Sequence, residues 1–152
     1  MKLEDADWRL LDLLQAEGRI TNQELAERAG MSASACWRRV RALEAEGVIR
    51  RYAALVDARR AGCTFDALVH VSLVRHSREN VEEFTAEVRR CPEVREAFAI
   101  TGVADYHLRV VCRDQDAYNA FMERFLFRLS GVANVQTHIV LREIKADGPL
   151  AR

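Results

Sequence analysis

Residues 20–52 read ITNQELAERAGMSASACWRRVRALEAEGVIRRY, and two short helices joined by a tight turn account for that order. Thr21 and Glu24 stand at capping-box spacing, where each side chain satisfies the other residue's free backbone N–H. The helix they open runs through Leu25 and Ala26 and stops at Gly30, a residue suited to a sharp turn. Ser32 is the expected N-cap of the next helix, which runs to about Glu46 with Gly47 as its stop. Two helices around a glycine turn, the second rich in arginine, have the layout of a helix-turn-helix that reads the DNA major groove.

The faces of that second helix follow from a rotation of about 100° per residue. With Cys36 at zero, Val40, Leu43 and Gly47 fall within about 40° and form the stripe expected to be buried. Ser34, Arg38 and Arg41 fall at roughly 140° to 200°, on the opposite side. Hydroxyl and guanidinium groups there can bond phosphate oxygens, and a guanidinium can fork onto the O6 and N7 of guanine. Ser32 and Ser34 stand where the helix dipole favours a phosphate, and Arg50 and Arg51 read as phosphate clamps. Arg39, on a flank, completes the expected DNA-binding set. Trp37, on the other flank, is expected to pack against the wing that follows. The bland alternative for Arg38 and Arg41 is a solvated helix face paired with Glu44 or Glu46.

Outward from this core, residues 5–17 place Trp8, Leu11 and Leu14 at helical spacing, with Leu10 on the flank, and Gly18 as a stop. Residues 48–56 read as a strand, a small wing. After Gly62 the period changes. Residues 67–74 form a β run, 80–90 a helix carrying Val81, Phe84 and Val88 and halted by Pro92, and 94–101 and 106–112 two strands around the turn at 102–105. Asp114 caps a helix carrying Tyr118, Phe121, Phe125 and Leu129, and 135–144 is a last strand. The order βαββαβ is ferredoxin-like, with both helices on one face of a four-stranded antiparallel sheet. The fold class is therefore α+β, divided into a DNA-binding domain at 1–50, a linking strand or hinge at 51–64 and a ferredoxin-like domain at 65–152. With Val69, Val71 and Leu73 on one face of the first strand and Leu68 and Val74 on the other, the uncovered face calls for a partner. A second copy is the simplest, and it supplies the two reading helices a palindromic site requires.

Charge supports a local polyanion contact. The chain has 23 basic and 23 acidic residues, yet residues 28–60 carry eight arginines against Glu44, Glu46 and Asp57, a concentrated cationic segment on a neutral protein. The acidic, amphipathic start, MKLEDADWRLL, lacks the apolar core of a signal peptide, and no apolar run approaches the roughly 18 residues that span a bilayer. A cytoplasmic protein is expected. Four dispersed cysteines with no CxxC pair then read as small buried thiols. Glycine-rich phosphate loops, GxSxG and HExxH are missing from the sequence, so no enzyme is expected, a metabolic ferredoxin-like enzyme domain being the remaining enzymatic alternative. His70, His107 and His138 all fall on expected strands. Imidazole suits zinc, copper or nickel, which leaves a metal- or metabolite-sensing alternative, although neither metal nor cofactor is the expectation.

The chain resembles the Lrp/AsnC (feast/famine) family of transcription regulators over both halves. The resemblance is carried by Glu24-Leu-Ala26, by MSASACWRRVRALE at 31–44, by Glu46-Gly-Val-Ile49, by Thr101-Gly102 with Asp105-Tyr106 and Leu108-Arg-Val110, and by IVLREIK at 139–145. It implies a winged helix-turn-helix joined to a RAM-type ligand-sensing domain that dimerises through its sheets, with dimers assembling to octamers and amino acids bound between them. Carried onto this chain, Thr101, Gly102, Asp105 and Tyr106 would form one wall of the effector site, and Thr137 and His138 the other. Backbone N–H groups near Gly102 would meet the ligand's carboxylate and Asp105 its ammonium. Departures are Ala33 and Ala35 where proline is usual, Val103 and Ala104 where glycine or an acid is common, and His107 where an apolar residue is frequent.

Overall fold

The Thr21–Glu24 pair sets where the second helix starts. Glu24 N–H donates to the Thr21 hydroxyl at 3.3 Å, while the Thr21 hydroxyl and N–H donate to the Glu24 carboxylate at 2.7 Å and 3.0 Å and hold the Glu24 carboxyl below its usual range. The structure, a computed structural model, describes residues 2–74, 77–146 and 148–150. Its first unit contains α1 (Asp5–Ala16), α2 (Asn22–Ala29) and α3 (Ala33–Ala45). Gly30 ends α2 at φ +70, in the left-handed region open to glycine. Ser32 caps α3 by accepting the Ala35 N–H.

Leu10, Leu25, Ala26, Ala29 and Cys36 pack as the core of this unit. Leu10, expected on the flank of α1, is fully buried, whereas Trp8 and Leu14 are half-buried. Asp7 explains the misreading: it is buried one turn before Leu10, and its polarity hides the true stripe from a hydrophobic count. The strand expected at 48–56 does not form. Residues 50–57 are irregular, because a lone β run has no ladder partner in its own chain.

The second unit, Val56–Glu143, contains β1 (Phe65–Leu73), α4 (Arg78–Arg90), β2 (Val94–Ala99), β3 (Tyr106–Cys112), α5 (Gln115–Arg124) and β4 (Val132–Ile139). All pairings are antiparallel in the order β2-β3-β1-β4, so the two central strands are β1 and β3. Ser77 and Asp114 cap α4 and α5, and α4 stops before Pro92, which disfavours helix at the preceding residue. A 3-10 turn at Leu126–Arg128 takes over where one longer helix was expected. Val69, Val71, Leu108 and Val110 are fully buried beneath Phe84, Val88 and Phe121 of the helices.

The alternate strand positions form a face that is less apolar than expected. Asp66, Leu68, His70 and Ser72 of β1 and His107, Arg109 and Val111 of β3 are all half-buried. Val74 lies beyond the strand end and is exposed. All four cysteines are free; Cys36, Cys91 and Cys112 are buried and Cys63 is half-buried. Among the described residues no helix is long and apolar enough to cross a membrane.

Candidate nucleic-acid interface

Helix α3 turns its faces as the 100° rotation requires. Cys36 and Leu43 are fully buried and Val40 half-buried, while Ser34, Arg38 and Arg41 are exposed on the other side. Arg38 has no ion-pair or hydrogen-bond partner among the described residues. Arg41 donates to Glu44 at 3.2 Å and its guanidinium lies 5.7 Å from the Trp37 ring centroid. Its side chain is nevertheless 65% exposed, and such a surface pair is cheap to exchange for a phosphate. The Ser32 and Ser34 hydroxyls are 3.3 Å apart at the start of α3, and Arg50 and Arg51 are exposed.

Two expectations change here. Arg39 donates to Asp7 and to Glu4, each at 2.9 Å. It braces α3 against α1, so its guanidinium is not presented with the ridge. Trp37, expected to pack on a wing, is 56% exposed, an open aromatic face beside the cations.

The residues expected around an effector are split by the sheet. The turn at 100–105 is exposed at Thr101 and Gly102, and Gly102 adopts φ +121, a conformation that side-chain-bearing residues rarely take. Asp105 accepts the Leu73 N–H at 2.7 Å, so its carboxylate already ties the turn to the end of β1. Tyr106 is buried on the helix-covered face, its ring 4.5 Å from that of Phe84. Thr137 bonds the Tyr118 hydroxyl at 2.5 Å, whereas His138, the next residue on β4, turns to the opposite face beside His70. Because β1 lies between β3 and β4, the two expected walls do not face each other within one chain. Tyr106, Thr137 and His138 cannot all line one pocket of a single copy.

On the uncovered face Arg109 donates to Asp66, at 3.3 Å and 2.7 Å, and to Glu143. The three histidines expected on strands are indeed neighbours: His70 Nε2 lies 3.1 Å from His107 Nδ1, and the rings of His70 and His138 are 4.8 Å apart. Among the described residues no group of three His, Cys, Asp or Glu side chains is arranged to hold a metal ion. Burial pushes the Cys91 and Cys112 thiols up to about 11, leaving them poor nucleophiles.

A winged helix-turn-helix DNA-binding model matches residues 3–50, and the Lrp/AsnC ligand binding domain matches residues 66–150. The chain belongs to the Lrp/AsnC family. It is a DNA-binding transcription regulator of that type. It is 39% identical over 145 residues to the leucine-responsive regulatory protein of Rhizobium meliloti, covering 95% of this chain and 93% of the relative. The leucine-responsive regulatory protein of Escherichia coli K12 is 34% identical over 148 residues, covering 97% and 90%. Among solved structures, a transcriptional regulator from Neisseria meningitidis in complex with L-Met superposes with a TM-score of 0.93 at 39% identity, covering 99% of this chain and 97% of that one. An AsnC family regulator from Agrobacterium tumefaciens gives 0.92 at 32%, covering 98% and 97%.

For an Lrp/AsnC reading head, sequence reasoning missed the residues that aim it. Asp7 and Glu4 hold Arg39, and Asn22 donates to the Ala33 carbonyl at 3.0 Å, tying α2 to the start of α3. Tyr52 donates to Glu44 at 3.1 Å. The capping spacing of Glu4 and Asp7, where the Asp7 carboxylate accepts the Glu4 N–H at 2.9 Å, was the available signal for Asp7. No periodicity marks Asn22 or Tyr52, whose partners are set by tertiary approach.

Proposed function

We propose that this regulator binds operator DNA as a homodimer, with α3 of each copy in the major groove of one half-site. Arg38, exposed on the ridge with Ser34 and Arg41 and without a partner among the described residues, is the observation that carries the reading. Arg38 supplies a bidentate contact to a base edge, Arg41 follows as the groove replaces Glu44, and Ser32, Ser34, Arg50 and Arg51 hold phosphates. Arg38→Ala is expected to weaken binding to the preferred operator by roughly 5- to 150-fold, the worth of one bidentate pair, with non-specific binding nearly unchanged. Fluorescence anisotropy on selected and scrambled duplexes over a salt series measures both. Equal losses on the two duplexes would reduce Arg38 to a phosphate contact, and unchanged affinity on both would remove it from the interface.

The second copy packs on the uncovered sheet face. There Arg109 is neutralised by Asp66 and Glu143, and Leu68, Val111 and the 53% exposed Phe98 supply apolar area. One reading helix covers only a few base pairs, which favours a two-fold pair of heads. The effector is an amino acid, a reading supported by the relative solved with L-Met. The Thr101-Gly102 turn receives its carboxylate, and Asp105 holds the shape of that turn. Thr137 comes from another copy, which makes the site a feature of the assembly and gives octamer formation its purpose, while His138 stays on the uncovered sheet face beside His70. An effector acts only through differential affinity for the states it links. Screening the twenty amino acids for a raised melting temperature tests this: a rise for one class, lost in Gly102→Val, is expected. No shift with any amino acid would sink the effector reading. The relatives are transcription regulators, and the protein is proposed to act in the cytoplasm without enzymatic activity.

A further inference from the structure

His107, His70 and His138 stand side by side on β3, β1 and β4 of the uncovered face. His70 is directly opposite His107 in the ladder, and His138 is opposite Leu68, one diagonal step away. Ring centroids are 5.0 Å apart for His70 and His107 and 4.8 Å for His70 and His138. The 3.1 Å contact between His70 Nε2 and His107 Nδ1 needs one nitrogen to carry hydrogen and the other to be bare. With both rings protonated the acceptor is gone and two cations are left in contact. Burial, His70 and His138 disfavour a charge on His107, and only Glu96 of β2 favours it. Phe98 of β2 presents an edge to the His107 ring. The other charges on this face, Arg109, Asp66 and Glu143, are paired with one another, and Gln136 of β4, opposite His70, does not titrate.

We propose that this imidazole ladder is an acid-sensitive switch on self-association of the chain. The proposal rests on the sheet-face homodimer described above. The His70–His107 hydrogen bond requires one bare nitrogen, so with that bond intact two faces pack without burying a pair of touching cations. Acidification acts on both copies' ladders at once, because a two-fold interface repeats every group. The half-buried His70 and His107 and the exposed His138 would then lose their remaining water with no added counter-charge, which disfavours the pair.

Sedimentation velocity of the full chain at pH 7.5 and 5.5, at fixed ionic strength, tests the switch. A dimer or larger assembly is expected at pH 7.5, with association weakened about tenfold or more at pH 5.5, the effect of two protons, one per copy, whose affinity differs by about one pH unit between the states. Far-UV circular dichroism at pH 5.5 is expected to be unchanged. In H70Q/H107Q the ratio between the two pH values is expected to fall towards one. Should that variant not fold, imidazole NMR titration of the unaltered chain serves instead, with a midpoint that falls as protein concentration rises. A dimer equally tight at both pH values, a concentration-independent midpoint or unfolding at pH 5.5 overturns the switch and leaves the dimer standing. A monomer at pH 7.5 and micromolar concentration overturns the homodimer and the switch with it.

Discussion

Arg38 and Arg39 are consecutive, yet a helix turns about 100° between them, and that rotation separates their tasks. Arg38 faces water with its guanidinium unengaged among the described residues. Arg39 meets two carboxylates of α1, one of them on the buried Asp7. Removing Arg39 leaves the Asp7 carboxylate in a nearly dry position with the Glu4 N–H but no cation, and a buried charge without its ionic partner is costly. Arg39→Ala is therefore expected to lower the melting temperature of the helical unit by several degrees, whereas Arg38→Ala leaves it within about a degree. Thermal denaturation followed by circular dichroism checks the contrast, and equal shifts in the two variants would contradict it. Composition showed a cluster of arginines; only the positions of Glu4 and Asp7 told which one is structural.

At the scale of elements, the helices were largely legible. The Thr21, Ser32 and Asp114 caps sit where expected, because capping is local chemistry between residues a few positions apart. Strand ends were less so. The last strand was expected at 135–144 and is found at Val132–Ile139, because its length is set by pairing with β1, from Leu73 opposite Val132 to Ala67 opposite Ile139. The pairing of β1 with β3 brings His70 against His107 and has a consequence for pH. Burial and the neighbouring imidazoles lower the His107 pKa in the folded protein. A group depressed in this way contributes its stability fully above its unfolded pKa of about 6.5 and loses it as pH falls through the folded value. The sheet unit is thus expected to melt at lower temperature as pH falls from 7.5 towards 5, a dependence that flattens in His107→Gln. A melting temperature that rises on acidification would reverse the sign and contradict the assignment.

For the whole molecule, net neutrality with a cationic segment at 28–60 suits a reader that touches DNA locally. Two copies related by a two-fold axis are expected to protect half-sites about 34–36 Å apart, or a multiple of that, because equivalent helices must meet the same groove face. Footprinting with half-site spacers lengthened by half a turn measures it. Undiminished affinity after that insertion would count against a rigid two-headed reader. The sequence alone determined the helix-turn-helix, the βαββαβ order and the outward ridge of α3, since caps, glycine stops and periodicity are properties of neighbours along the chain. Only the tertiary structure decided that Arg39 is a brace, that Tyr106, Thr137 and His138 divide between two faces of the sheet, and that three histidines meet. Those outcomes depend on strand register and helix approach, which bring together residues far apart in sequence.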